Sequence, residues 1–397
     1  MDPQTREFES YIPISSKEDK KTDWGESESI FNTFGVGIKT SRDAWVLNFD
    51  RQKLAERVKS LISTYNAERH RWKAREDRNA NLRDFLLDDD TRIKWSSGLR
   101  RSLRNGNPTS FDESKICVGH YRPFTQMWMY YDDTLIERPG LFSTFFPDGS
   151  KSQNLAIALT GKAGEKPFMA LIVDTFPDSH ITGAGTNAQC FPFYVYDEDG
   201  TNRRENITDW ALSQFQEHYG EPTITKWDIF YYIYALLHHP RYRERYEGNL
   251  KRNLPHLPYA PDFETFVDAG KKLADLHLQY EDVEPYPLEE KESGELEWRV
   301  EKMRWRQSKT AIKYNEFLTL EGIPERAHDY QLAHKSALGW LKSRYRTKTY
   351  NRYDITHDPN DPDDKWYIVD LIKRVTTVSV ETVDIVNDLP YLGLPEE

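Results

Sequence analysis

The sequence predicts an α+β protein, with a β-rich central domain followed by a mainly helical C-terminal half. Three observations carry this. Up to about residue 200, short apolar or aromatic runs are bounded by Pro, Gly and Asp, as in strands joined by turns. At Asn206 the apolar residues switch to i, i+3/i+4 spacing, the mark of amphipathic helices. The 397 residues are 38% hydrophobic and include 23 Tyr, 19 Phe and 11 Trp. That is enough core material to exclude a disordered chain, despite a mean hydropathy of −0.80.

Residues 1–50 read as an irregular lead-in and junction, closing on a strand from Ala44 to Phe49. Residues 51–110 are helical, with Leu54, Val58, Leu61 and Tyr65 on one face of a helix from about Arg51 to Lys73. Residues 111–204 form the β-rich part, with strands within Lys115–Tyr131, Leu155–Leu159, Phe168–Val173 and Cys190–Tyr196. Residues 205–280 are helical again. One helix runs from about Thr208 to a stop at Gly220, and Thr225 with Asp228 forms a capping box for a helix ending near Pro240. Tyr242, Tyr246, Leu250 and Leu254 repeat every four residues. Phe263, Phe266, Val267, Gly270, Leu273 and Leu276 make a further helical stripe. Residues 281–397 open with a Pro/Glu-rich linker at 281–297, then continue as a helical region with helices around Ala333–Arg346 and Ile368–Ile385.

Several function classes lack their motifs. Two cysteines, Cys117 and Cys190, give no disulfide framework and no four-cysteine metal site, and a reducing cytoplasm is the expected compartment. The longest apolar run, Ile229 to Leu237, is too short to cross a bilayer, and MDPQTREFES has no signal character. Phe34-Gly35-Val36-Gly37 and Gly183-Ala184-Gly185 mimic cofactor turns without continuing into a full fingerprint, and there is no GxxxxGK[ST] phosphate loop. Pro261-Asp262 with Glu289-Glu290-Lys291 formally fits a nuclease pattern, but its second half falls in the linker. Asp178-Ser179-His180 are neighbours, whereas triad members come from separate segments. His238, His239 and His256 have no Cys or carboxylate at ligand spacing, so no metal is expected.

A net charge of −11 argues at first against a nucleic-acid partner. The acid is unevenly placed. Residues 275–297 and 354–397 each carry −8, which leaves the other 330 residues at +5. Thr91–Phe111 contains no acid and holds Arg92, Lys94, Arg100, Arg101 and Arg104 around Trp95. Tyr330–Tyr353 contains no acid either, and mixes Lys335, Lys342, Arg344, Arg346, Lys348 and Arg352 with Trp340, Tyr345, Tyr350 and Tyr353. Arg299–Lys313 holds six bases and one acid. A single basic run is usually a solvated helix face. Several such windows in an acidic protein suggest instead a basic groove for a phosphate backbone, bounded by acidic outer faces.

At these positions the chain resembles a known family. Gly37-Ile-Lys-Thr-Ser-Arg-Asp-Ala-Trp45 is similar to the GvkTxRDaW junction of type ISP restriction–modification enzymes, which fuse a nuclease, an ATP-driven translocase, an adenine methyltransferase and a C-terminal specificity region. The likeness continues in family order through Ile93-Lys-Trp95, Tyr121-Arg-Pro-Phe124, Lys166-Pro-Phe168, Cys190-Phe-Pro192 and Asn206-Ile-Thr208. It is most specific from Asp228 to Pro258, and runs on through Gly270–His277, Ser336–Trp340, Asp358–Asn360 and Tyr367–Val375. One departure is Arg352-Tyr-Asp-Ile-Thr356, where the family usually has a Ser-Gly-Ile turn. The methyltransferase's [DNS]PP[YFW] motif does not occur, nor do the nuclease and translocase motifs.

The resemblance therefore implies the target-recognition and C-terminal region alone, with 111–204 and 205–280 as the β-rich and helical parts of a target-recognition domain. The expected function is sequence-specific recognition of double-stranded DNA for a type ISP system of phage defence. The expected partners are that DNA and the methyltransferase and nuclease/translocase domains, with no membrane. No catalytic residue is assigned. S-adenosylmethionine, ATP and Mg are expected only in the absent domains. Lys94, Arg100, Arg101, Arg104, Lys342, Arg344, Arg346 and Lys348 are the candidate phosphate or groove contacts. Arg42 and Arg122 are candidates too, with domain packing against buried acids as the alternative for both. Two other functions stay open: an adenine methyltransferase with a disguised motif, and a protein-interaction scaffold without DNA contact.

Overall fold

A computed structural model describes residues 3–161 and 166–395. The fold is α+β, with several small sheets and a helical C-terminal region. The Arg51–Lys73 helix starts at Asp50, whose carboxylate accepts from the Lys53 amide, and it buries Leu54, Val58, Leu61 and Tyr65. The Asp209–Tyr219 helix is capped by Thr208 and closed by Gly220 at φ 65°. Thr225 and Asp228 form the capping box of the Lys226–Leu236 helix. Pro240 then opens the short Pro240–Arg245 helix, where its missing N–H costs nothing. A Cβ on Gly270 would strike the Tyr231 backbone, so glycine there lets the Phe263–Leu278 and Lys226–Leu236 helices close on each other.

A central antiparallel sheet is ordered Gly35–Val36, Gln189–Pro192, Ala156–Leu159, Ala170–Val173. Its two faces serve two different cores. Ala156, Ala158, Leu171, Val173 and Cys190 face one apolar cluster, and Ile157, Leu159, Ala170, Ile172 and Phe191 face the other. Burial on both faces explains why these strands read as continuous apolar runs rather than alternating ones. The first core joins the Arg51–Lys73 helix and the Ile116–Arg122/Thr125–Tyr130 hairpin to the C-terminal region. The second joins the helices of residues 209–278 to the N-terminal Phe8, Ile12, Ile14, Ile30, Phe31 and Phe34.

Three expectations need correcting. The lead-in of residues 1–50 is not wholly irregular: Pro3–Glu9 is a helix, Ile12–Pro13 pairs with His256–Leu257, and those six side chains are core. Ala44–Phe49 is not a single strand: Asp43–Val46 is one buried helical turn, and only Leu47–Asn48 pairs, against Thr125–Tyr130. Burial on all sides removes the alternation that distinguishes the two. The stretch 281–297 is not a bare linker. Glu289–Glu292 is an edge strand of a four-stranded antiparallel sheet, followed in order by Leu318–Glu321, Ala311–Lys313 and Arg304–Arg306. An edge strand facing solvent can be all charged, so its composition imitates a linker. The expected C-terminal helices are present as Ala337–Arg344 and Tyr367–Asn387, with the Lys348–Tyr350/Ile355–His357 hairpin between them.

Candidate nucleic-acid interface

Five separate segments converge on one cleft of about 380 Å³. The junction contributes Lys39, Thr40, Ser41 and Asp43, the first basic window Lys94, and the central hairpin Tyr121. The loop after the Phe176–Pro177 strand supplies Asp178 and His180, and the second window Lys348, Tyr350 and Tyr353. Gly37 makes the convergence possible. A Cβ there would lie 2.7 Å from the Ser179 Cα, while Ile38 and Ser179 are joined by a backbone hydrogen bond of 2.7 Å. The junction therefore runs directly against the loop that carries Asp178 and His180.

The second window lines this cleft and the groove beside it, where Arg344, Arg346 and Lys348 meet Tyr121, Tyr350 and His357. Its cations lie over rings. Lys348 is 4.0 Å from the Tyr350 centroid, Arg344 5.5 Å from Trp340 and Lys342 5.7 Å from Trp305. Among the described residues, Arg352 is the one cation of that window held in an ion pair, with Asp90. Arg346 is half-buried and Lys348 exposed.

Burial and the neighbouring cations together set the electrostatics. Burial first, and then neighbouring cations, hold Lys335, Lys342, Arg344 and Lys348 below their ordinary values. The neighbours are one another together with Arg122, Arg346, Lys166 and Lys302. His334 is lowered in the same way, by burial and then by Lys166, Lys335 and Arg344. The lysines and arginines form one patch with an excess of positive charge, offset at Lys348 by Asp43, which a polyanion would relieve.

Arg42 and Arg122 are corrected as surface contacts. Arg42 is 0% exposed; its guanidinium donates to the Leu135 carbonyl and the Ser96 hydroxyl, and burial lowers its pKa to about 10. Arg122 is 7% exposed and donates to Asp178 at 2.7 Å. Burial opposes its charge, but Asp178, Tyr121 and Asp43 outweigh it, so its pKa is raised. Both arginines are buried, but only Arg122 packs against a buried acid; Arg42 is held by a carbonyl and a hydroxyl instead. In the first window, Lys94 reaches the cleft, its amine 5.2 Å from the Tyr353 ring. Arg101 and Arg104 are exposed on the Ser97–Arg104 helix, which buries Leu99 and Leu103, while Arg100 is half-buried.

Residues 29–371 match the Type ISP C-terminal specificity domain. The chain belongs to this family. Three solved structures are similar to it: a nuclease-deletion mutant of the Type ISP restriction–modification enzyme LlaGI with a DNA substrate mimic, a DrdV–DNA complex, and the ATP-dependent Type ISP enzyme LlaBIII bound to DNA. Identities are 32%, 32% and 30%, and TM-scores 0.86, 0.86 and 0.85. The alignments take in 98%, 96% and 98% of this chain but only 35%, 38% and 24% of those chains. No curated protein matches.

Within the specificity domain the catalytic look-alikes take structural roles. Ser179 Oγ and Asp178 Oδ1 approach the same His180 nitrogen, Nδ1, at 3.1 and 3.5 Å, whereas a triad uses opposite ring nitrogens. Asp262 caps the Phe263–Leu278 helix, and Glu290 pairs with Lys373. His238 and His256 each use Nδ1 on a backbone carbonyl, of Tyr234 and Tyr11. No described helix is long and apolar enough to cross a membrane. Sequence reasoning missed Lys39, Lys166, His180 and His334 at the interface. Each is a single basic residue outside a basic run or at its edge, and only the fold brings it to the others.

Proposed function

We propose that this chain is the DNA target-recognition part of a type ISP restriction–modification enzyme, acting in the cytoplasm. One observation carries the reading: Lys348 meets Lys39, Lys94 and His180 around one cleft, and Arg344 and Arg346, without ion-pair partners among the described residues, line the groove beside it. The three similar structures, all DNA complexes by their descriptions, support it. Lysine and arginine neutralise phosphates and fix the register of the protein on the duplex, while polar side chains in the groove read base edges. The partners are double-stranded DNA and the methyltransferase and nuclease/translocase domains. S-adenosylmethionine, ATP and Mg serve those domains rather than this chain. The test is an electrophoretic mobility shift of the chain on random-sequence duplex at low and moderate salt. Binding that weakens steeply with salt is expected; no shift at low salt would overturn the reading and leave a protein-interaction scaffold.

A further inference from the structure

The turn joining Arg304–Arg306 to Ala311–Lys313 is unlike the other connections of the fold. Gln307, Ser308 and Lys309 are three consecutive non-glycine residues with positive φ, at 46°, 53° and 78°. A tight hairpin calls for positive φ at its tip, and Asn-Gly or Gly-Gly satisfies that without strain. This sequence instead keeps three polar side chains there, all exposed. Sparsely populated backbone conformations of this kind persist where the surroundings hold them, and they concentrate at functional sites.

The surroundings do hold it. The His328 ring bonds the Lys309 carbonyl at 3.0 Å through Nε2 and the Ser336 hydroxyl at 3.3 Å through Nδ1. The Thr310 hydroxyl donates to the Gln307 carbonyl at 2.8 Å. His328 and Ser336 thus tie the tip to the start of the Ala337–Arg344 helix, whose Lys342 lies over Trp305 in the same hairpin. The tip is continuous with the basic face.

The charge of the sheet points the same way. Arg304 pairs in register with Lys313, so these residues share a face with Arg306 at the edge of the sheet. Trp305 and Ile312 turn to the other face, toward the helix and the core. At the opposite edge the strand is Glu289-Glu290-Lys291-Glu292. The sheet runs from acid at one border to base at the other, and the strained turn stands at the basic border. The sheet itself is four strands wide, but its exposed corner turn can enter the DNA major groove. The Gln307 amide donates one N–H to Glu321 at 3.1 Å, which leaves its other N–H and its carbonyl oxygen, with the Ser308 hydroxyl, for base edges.

We propose that the Gln307-Ser308 tip is a sequence-reading element, with Arg304 and Arg306 placing it on the phosphates and His328 as its positioning residue. This rests on the DNA-recognition reading above. The test is selection of bound duplexes from a random-sequence library by the full chain and by two variants, Gln307→Ala and Ser308→Gly. Glycine accepts the left-handed backbone, so the second variant keeps the turn while removing the hydroxyl, and thermal unfolding confirms that both variants fold. The unaltered chain should enrich a short motif. The variants should bind random duplex with the same salt slope but lose about tenfold of the preference at one or more motif positions. Enrichment of the same motif with undiminished preference by both variants would overturn the assignment. So would salt-dependent binding by the unaltered chain with no motif enriched. Failure of the unaltered chain to bind random duplex at low salt would overturn the recognition reading itself.

Discussion

The two acid-free windows look alike as sequence and behave differently as structure. Thr91–Phe111 sends Lys94 to the cleft and leaves Arg101 and Arg104 exposed on a helix whose inner side is apolar. Trp95, its aromatic residue, is spent on the core side, donating to the Leu87 carbonyl. Tyr330–Tyr353 instead wraps a buried aromatic scaffold, Trp340 and Tyr345, with cations that overlie rings and repel one another. The absence of acids along the chain does not distinguish a solvated helix face from a binding face. An excess of cations over acids in space does, because Asp43 and Asp178 at the cleft leave several cations without an ion pair and a positive potential that an external anion would lower.

The largest effect should come from testing that contrast directly. Replacing Lys342, Arg346 and Lys348 together with Ala should flatten the slope of log K against log salt by about 3 on random duplex. The same treatment of Arg100, Arg101 and Arg104 should change it by about 1 or less. Equal slopes, measured by fluorescence anisotropy, would erase the distinction between the windows. Beneath the cleft, Asp178→Asn leaves the Arg122 guanidinium buried without its partner. A loss of about 3–5 kcal/mol in urea unfolding is expected; an unchanged midpoint would show that the pair does not support the second window.

Acid should also act from below that window. His357, in the 355–357 strand, has its pKa lowered to about 4 from 6.5 by burial and then by Arg57 and Lys348, against a bond to the Ala44 carbonyl. Its folded pKa lies below the unfolded one, so the unfolded chain binds the extra proton. Stability from this group is complete above pH 6.5 and falls, by up to about 1.4 kcal/mol per pH unit, as pH drops toward 4. His357→Gln should flatten the stability–pH curve in that range; an unaltered curve would place the acid sensitivity elsewhere. Gly37→Ala forces the junction away from residues 178–179 and should cost about 1–3 kcal/mol, with Lys39 displaced from the cleft. The smallest effect is at Asp354, at φ 53° in the turn where the family resemblance has Ser-Gly-Ile. Asp354→Gly should stabilise by up to about 1 kcal/mol, seen as a higher Tm, without altering DNA affinity.

Much of the fold was legible in the sequence, for identifiable reasons. The Arg51–Lys73 helix, the Thr225/Asp228 capping box and the Gly220 stop are set by neighbours within a few residues, so a local reading finds them. The strand pairing Ile12–Pro13 with His256–Leu257 was not legible, because its partner is far away in sequence and its two residues carry no period. The all-charged Glu289–Glu292 strand was hidden by its composition. At the interface the same division holds. Lys342, Arg344, Arg346 and Lys348 are legible as candidates because they crowd one acid-free run, whereas nothing in the local sequence marks Lys39, Lys166 or His180 as neighbours of that run.

By itself the sequence determined the α+β class, the family likeness and the segregation of acid from base, since each is written in composition, spacing or collinear motifs. Only the tertiary structure decided which cations face solvent together. It put Arg42 and Arg122 inside, where a guanidinium must be satisfied by Leu135, Ser96 and Asp178, and it set Lys94 beside Tyr353. The physical reason is that charge acts through space. Coulombic neighbours are chosen by the fold, and the order of residues along the chain fixes only which of them are available.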